Sequence, residues 1–569
     1  MKKILIYGLF AALMPLASSC SEDYLELSPE VDVSPSTLFT NPDDAQYAVN
    51  GIGRLMCSQY MSSQGRNGEG TLLMYFGEWP GKATQKCDLT GWANTINGKY
   101  HENNSNANMY FSWQYPYQII VNANAIINSV PTDVPEGETK EAWDFVKGEA
   151  LTYRAHAYLR LVQIYSRRWS DRNGESRGVI LRLGDDTDPK PCISQKDIYA
   201  QIYKDLDEAI ALFKGSGKDR EEVWQPNEDV AHALYSRAAL TREDWSKAAS
   251  EAKEAQKNYQ IMGIDDYTAG FNTPNKEWIW CAYNGDTQDI YYYSFFAYMA
   301  SNSKSSACRT NPLAISRELV EKISPDDQRL KLYAIPTADE MPKKASLVTG
   351  AGKVVSTSAK NLKAREDAIA AATDPSEKQS LQESYDYLVQ QNAFYNRVKG
   401  NDSFLKNRLY SSTTLYYYHN TKFQAIGDLG VGQVCIFRMA EMLYNEAEAE
   451  YKLGNEAAAR AALEKAVSPY LEGYTCTKTG ADLYDEICTQ RAFDLNGEGH
   501  SWFDMKRRGE TMTRKNWKNG GSWNNSFAIT VKPDEMNRWT FCIPTIETNY
   551  NDQVTTFEDE NWTAPVVSE

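Results

Sequence analysis

The stretch GEGHSWFDMKRRG (497–509) gathers residue types that do acid–base chemistry, with Glu498 and Asp504 on either side of His500 and Trp502. A glycoside hydrolase needs two carboxylates about 5 to 9.5 Å apart across the bond it cleaves, and this is the most suggestive pair in the chain. Other chemical motifs fall short. GAGK (350–353) lacks the spacing and the final Ser/Thr of a phosphate-binding loop, and GIGRLM (51–56) lacks the third glycine of a dinucleotide fingerprint. His101-Glu102 has no second histidine at metalloprotease spacing. Zinc needs clustered ligands, yet the five histidines (101, 156, 232, 419 and 500) are scattered, and no two of the ten cysteines have C-x-x-C spacing. No metal site and no cofactor are expected, and no catalytic constellation forms.

Binding chemistry is better represented. Sugars present apolar C–H faces ringed by hydroxyls, so a site for them needs flat aromatic platforms with amides, acids or arginine at the rim. Tyrosine outnumbers phenylalanine by 36 to 18, an excess of rings that carry a polar tip. The segment YFGEWPGKATQKCDLTGWANTINGKYHENN (75–104) concentrates Trp79, Trp92 and Tyr100, with Asp88, Asn94 and Asn97 between them. Tyr291, Tyr292 and Tyr293, in YYYSFFAY (291–298), form a second aromatic group, and Arg66 is a candidate hydroxyl clamp. For each of these the alternative is a core or loop anchor whose polar tip is hydrogen-bonded.

The elements that must position these loops are helical. In EALTYRAHAYLRLVQIYSRRW (149–169) apolar groups recur at Leu151, Ala155, Tyr158, Leu159, Val162 and Tyr165, a 3.6-residue stripe. Residues 195–213 repeat the pattern. DVAHALYSRAALTREDWSKAASEAKEAQ (229–256) reads as two helices around a break at Arg242–Asp244, and AEMLYNEAEAEYKLGNEAAARAALEKAV (440–467) does the same around Gly454-Asn455. That layout is a tetratricopeptide-type helix pair. Repeat-type helices are expected within about 113–260 and 434–468, loop-rich insertions over about 61–112 and 270–430, and a solvated helical hairpin over 360–398. The fold class is mostly α, with helix pairs packed against an irregular half containing short strands.

The ends and the charge bound the setting. Lys2 and Lys3, an apolar run from Ile4 to Ala17, then Ser18, Ser19 and Cys20 have the three parts of a secretory signal, too short and with Pro15 too interrupted to span a bilayer. A cysteine at that junction reads as a lipidation site: residues 1–19 are removed, and acyl chains on Cys20 tether the body 20–569 at roughly 0.8 kcal/mol per buried methylene. The net charge of -16 becomes -18 once Lys2 and Lys3 are lost, since residues 1–19 hold no acid. So acidic a chain lacks the basic surplus that holds nucleic acid, which excludes that partner. The nine remaining cysteines leave at least one unpaired within the chain.

In order along the chain, SCSEDYLELSP (19–29), WQYPYQIIVNANAIIN (113–128), RMAEMLYNEAEAEYKLGN (438–455), QRAFDLNGEGHSWFDMKRRG (490–509) and IPTIETNYN (543–551) resemble the SusD/RagB family of outer-membrane nutrient-binding lipoproteins over nearly the whole mature chain. Departures are Ala17 where lipoproteins usually place Leu, Ser501 in place of an Arg and Arg508 in place of a Trp. The resemblance implies a turn and helix at 497–509 that pack the C-terminal half, so no enzyme. It implies surface export, with Glu22 and Asp23 after the lipidated cysteine as the signal, and aromatic loops of the non-repeat half lining a glycan site. It also implies a SusC-type TonB-dependent transporter as partner, covered by this protein as a lid. The runner-up is the family's peptide-binding branch, and a secreted glycosidase stands third.

Overall fold

The computed structural model describes residues 39, 41–58, 66–88, 93–99, 104–283, 294–427 and 430–558. These are mostly helical, as expected. The longer helices are α1 (Pro42–Leu55), α2 (Ala107–Ser129), α3 (Lys140–Tyr165), α4 (Gln195–Ser216), α5 (Glu228–Thr241) and α6 (Trp245–Ala255), then α7 (Ala359–Ala371), α8 (Pro375–Asn396), α9 (Met439–Lys452), α10 (Glu456–Val467), α11 (Gly480–Asp494) and α12 (Ser501–Arg508). The strands that bear on the site are β1 (Thr84–Lys86), β2 (Trp278–Ala282), β3 (Leu313–Ile315), β4 (Tyr333–Ala334), β5 (His419–Asn420) and β6 (Val434–Arg438).

The helix pairs form for local reasons. Asn227 caps α5 by accepting from the Val230 N–H, and Asp244 caps α6 by accepting from the Lys247 N–H. Between α9 and α10 the chain turns at Gly454, whose φ of +83° suits a residue without Cβ. Where α5, α6 and α9 meet, Ala239, Leu240, Ala248, Ala249 and Ala449 make one cluster. Methyl-sized side chains let the backbones approach, close enough for Ser236 Oγ to donate to the Ala248 carbonyl at 3.0 Å. Pairs far apart in sequence are therefore adjacent in space, with insertions looped out between them.

Two expectations change in detail. Helix α3 starts at Lys140 and is buried on every side from Gly148 to Tyr165, charged residues included, so it has no single apolar stripe. Its charges are paired instead: Arg154 grips Asp205 at 2.8 and 2.7 Å, and Arg160 grips Glu69 at 2.9 and 2.6 Å. Arg237 of α5 holds Glu441 of α9 through two bonds of 2.7 Å. Such pairs must be complete, because an orphaned buried charge costs several kcal/mol. The expected hairpin is α7–α8, with Asp374 accepting from the Glu377 N–H at 2.8 Å. Only α7 buries no residue, since α8 buries Tyr387 and Phe394 against the body.

In the irregular half a four-stranded sheet runs in the order β1-β3-β5-β4. His419 on β5 is fully buried, and neither ring nitrogen has a hydrogen-bond partner among the described residues. Burial, with a small push from Lys399, lowers its pKa to about 3. Folding therefore favours the neutral ring: the contribution is complete above about pH 6.5 and is lost as pH falls toward 3. We expect His419→Leu to flatten urea stability between pH 6.5 and 4, removing a loss on the order of 3 kcal/mol. An unchanged slope would show that the ring is not excluded from protonation.

Candidate functional site

β1 and β3 form an antiparallel ribbon, Thr84 opposite Ile315 and Lys86 opposite Leu313. At one end the side chain of Asn311 clamps the backbone of Asp88: the Asp88 N–H donates to Oδ1 at 2.8 Å, and Nδ2 donates to the Asp88 carbonyl at 3.2 Å. Behind the clamp, buried Lys86 donates to the carbonyls of Asn311 (2.8 Å) and Tyr298 (3.2 Å) and lies over the Trp79 and Tyr298 rings. Burial lowers the Lys86 pKa to about 8. A π-helical turn, Leu73–Glu78, sets Tyr75 against Trp79 at 4.9 Å between ring centroids.

Described residues that flank several stretches of the sequence come together on this face. Ser294, just after 284–293, donates from Oγ to the Gly430 carbonyl at 3.0 Å, just after 428–429. Asn67, which follows 59–65, shares a small void with Met56, Ala282, Ser294 and Val434. Asp88 precedes 89–92. The ends of four stretches, distant in sequence, are thus held together by one aromatic and amide framework.

Each proposed contact has its own placement. Trp79 is 1% exposed and packed between Tyr75, Tyr298 and Lys86, so it supports the face and offers no stacking surface, which corrects its expected role as a platform. Asn97 is an anchor, donating to the Ser526 carbonyl at 3.3 Å while its own carbonyl accepts from Arg538 at 2.8 Å. Arg66 donates from Nε to Asn108 Oδ1 at 3.2 Å. Asn94 is exposed and Asp88 is half-buried. Cys20, Trp92, Tyr100, Tyr291, Tyr292 and Tyr293 lie outside the described residues.

At the other end of the ribbon Ala83 and Ser316 open on a cleft of about 450 Å³. Its walls include Leu319, Tyr484, Leu495 and Met505, and its rim carries paired charges of both signs: Lys82–Glu510 at 2.8 Å and Lys322–Asp485 at 3.2 Å. Asp504 lines it as well, but burial there is overcome by Arg491 (2.6 Å) and Arg507 (2.9 Å), which hold the carboxyl well below its usual range. Glu498 is locked by Lys422 at 2.5 Å and Arg438 at 2.7 Å and is likewise held ionised against burial. Neither carboxyl is poised to give up a proton to a leaving group. A spacing not singled out in the sequence, GESRG (174–178), matches the G-x-S-x-G pattern of hydrolase nucleophile turns. Its Ser176 is fully buried and enters strand Arg177–Ile180 directly, and its Oγ has no hydrogen-bond partner, and so no base, among the described residues.

Sequence reasoning also passed over a buried charge cluster beneath both halves. Arg438 donates to Glu277, Asp494 and Glu498, each at 2.7 Å, and Arg329 grips Asp327 at 2.7 Å. Burial opposes ionisation of Asp494, yet Arg438, Arg329 and Lys422 hold its pKa down to about 2. Asp494 and Glu498 stand four residues apart in the sequence, but their partners are scattered from 277 to 498, so no local pattern marks the cluster.

The described residues form a helix-pair scaffold packed against a half with short strands and a framework of buried aromatic and amide groups. The family model described as SusD family matches residues 245–562, and one described as starch-binding associating with outer membrane matches residues 23–240. The chain belongs to the SusD family. A SusD-like protein of Bacteroides ovatus is 21% identical over 255 residues, 44% of this chain and 41% of that relative, so the match spans under half of its length. A SusD superfamily protein from Bacteroides thetaiotaomicron has the same fold at a TM-score of 0.67 and 19% identity, covering 91% of this chain and 99% of that one. A SusD-like carbohydrate binding protein from Bacteroides vulgatus superposes at 0.66 and 20% identity, covering 91% and 98%. No helix among the described residues is long and apolar enough to cross a membrane.

Proposed function

We propose that this protein, anchored at the outer membrane by acylated Cys20, captures a glycan on its loop face and delivers it to a SusC-type TonB-dependent transporter. The observation that carries the reading is the meeting of four loop ends over a framework of buried aromatic and amide groups, in a chain rich in tyrosine and tryptophan. Support comes from a solved relative named as carbohydrate binding and from a family model described as starch-binding. Trp92, Tyr100 and Tyr291–Tyr293 are the proposed platforms, with Asp88, Asn94 and Arg66 at the rim and Asn97 as an anchor. Closure over the transporter would follow from tighter glycan binding in the closed state. The test is a glycan and peptide panel on residues 21–569, by affinity electrophoresis and then calorimetry, with a product assay on every hit. Saturable binding of one polysaccharide class without cleavage is expected, and released sugar would overturn the non-enzyme reading.

Cys20→Ala is expected to abolish acylation and leave the protein in the periplasmic soluble fraction. Continued membrane retention would contradict the anchor. A peptide ligand is the second reading, favoured by the 450 Å³ cleft with apolar walls and charges of both signs at its rim. Peptide binding with silence on every glycan would replace the first reading with this one.

A further inference from the structure

β2 and β6 pair antiparallel, and their register sets Cys281 directly opposite Cys435. Residues directly opposite in such a ladder have Cα atoms about 4.5 to 5.5 Å apart and project to one face. A disulfide joins Cα atoms about 4.4 to 6.8 Å apart, a range that overlaps the spacing of directly opposed residues, so this register brings the two cysteines to bridging distance. Both thiols are held weakly: Cys281 donates from Sγ to Gln433 Oε1 at 3.2 Å, and Cys435 to the Phe437 carbonyl at 3.6 Å. None of the other strand pairings sets cysteine against cysteine among the described residues.

We propose that Cys281 and Cys435 form a redox-responsive pair that closes to a cross-strand disulfide when a disulfide oxidant is supplied. Cys435, 9% exposed against 1% for Cys281, meets the oxidant R–S–S–R first. Its thiolate attacks one sulfur, forming Cys435–S–S–R and releasing RS⁻, which takes up the proton lost from Cys435. The Cys281 sulfur then attacks the Cys435 sulfur and expels a second RS⁻, which takes up the Cys281 proton. The two cysteines lose two electrons, and the oxidant gains them as two RSH. Burial pushes both thiols up, so the reaction passes through transient opening of the ribbon.

The position gives the bond a consequence. β2 runs toward 284–293, while β6 follows 428–429 and leads straight into α9. The link would pin the common base of two loop stretches to the helix-pair half, next to a register shift between Cys435 and Phe437. The inference rests on strand register and is independent of which ligand the loops take.

The experiment treats residues 21–569 with excess oxidised glutathione in urea kept below the unfolding midpoint, alkylates the remaining thiols and maps peptides before and after reduction. A linked Cys281–Cys435 peptide is expected, about 2 Da lighter than its two parts and lost on reduction, with a higher thermal midpoint for the oxidised chain. Cys281→Ser and Cys435→Ser should each abolish that link, and Cys57→Ser should preserve it. Alkylation of both cysteines, separate glutathione adducts on each, or a bond from Cys281 to another cysteine would each overturn the pair.

Discussion

Arg438→Met is expected to lower folding stability by about 3 to 5 kcal/mol, the cost of leaving buried carboxylates without their cation. Arg438 is 1% exposed and, among the described residues, is the one cation bonded to Glu277, while also holding Asp494 and Glu498. Without it, Glu277, Asp327, Asp494 and Glu498 keep, among the described residues, only Arg329 and Lys422 as cationic partners. Glu277 already has a raised pKa, burial outweighing Arg438, and it would have to protonate. The pH dependence should change sign. In the native protein the Asp494 pKa is depressed to about 2, so its contribution is present above about pH 4 and fades as pH falls toward 2. In the variant the stranded acids have raised pKa values, so stability is lost as pH rises and partly recovered near pH 5. Urea unfolding at pH 5 and 7 checks this. Arg438→Lys should rescue little, because one ammonium cannot reproduce a planar fork that reaches three carboxylates. A pH 7 stability within about 0.5 kcal/mol of the parent would show that the cluster is not a keystone.

Trp92→Ala is expected to weaken glycan binding at least tenfold, about 1.4 kcal/mol, while leaving the fold intact. The described residues that flank it in the sequence are anchored independently, by the Asn311 clamp on Asp88 and by the Arg538 and Ser526 contacts of Asn97. Trp79→Ala supplies the contrast. That ring is buried among Tyr75, Tyr298 and Lys86, so its loss should cost about 3 to 5 kcal/mol of stability. Calorimetry on the bound glycan and urea unfolding on the same two variants separate the roles. Unchanged affinity in Trp92→Ala would remove the leading platform and shift attention to Tyr291–Tyr293.

Helix breaks, caps and the alanine-rich faces were legible from sequence because they depend on neighbours a few residues away. Gly454 turns the chain where a left-handed residue is needed, and Asp374 caps α8 from the position immediately before it. Family membership was legible for a related reason, because the resemblance rests on short motifs in order along the chain, whereas identity to a solved relative is only 20%. Side-chain roles within the aromatic segment were not. Trp79 and Asn97 have the residue types of a sugar site, yet one supports the face from beneath and the other ties down a loop, because burial depends on what packs from elsewhere in the chain.

By itself, then, the sequence determined a mostly helical chain with tetratricopeptide-type pairs, an acidic character and an aromatic-rich loop half. These are properties of composition and short-range periodicity. Only the tertiary structure decided that Glu498 and Asp504 are locked in ion pairs, that described residues flanking four distant stretches share one face, and that Cys281 stands opposite Cys435. Each of those facts needs partners many residues apart to be brought within a few ångströms, and no local pattern carries that distance.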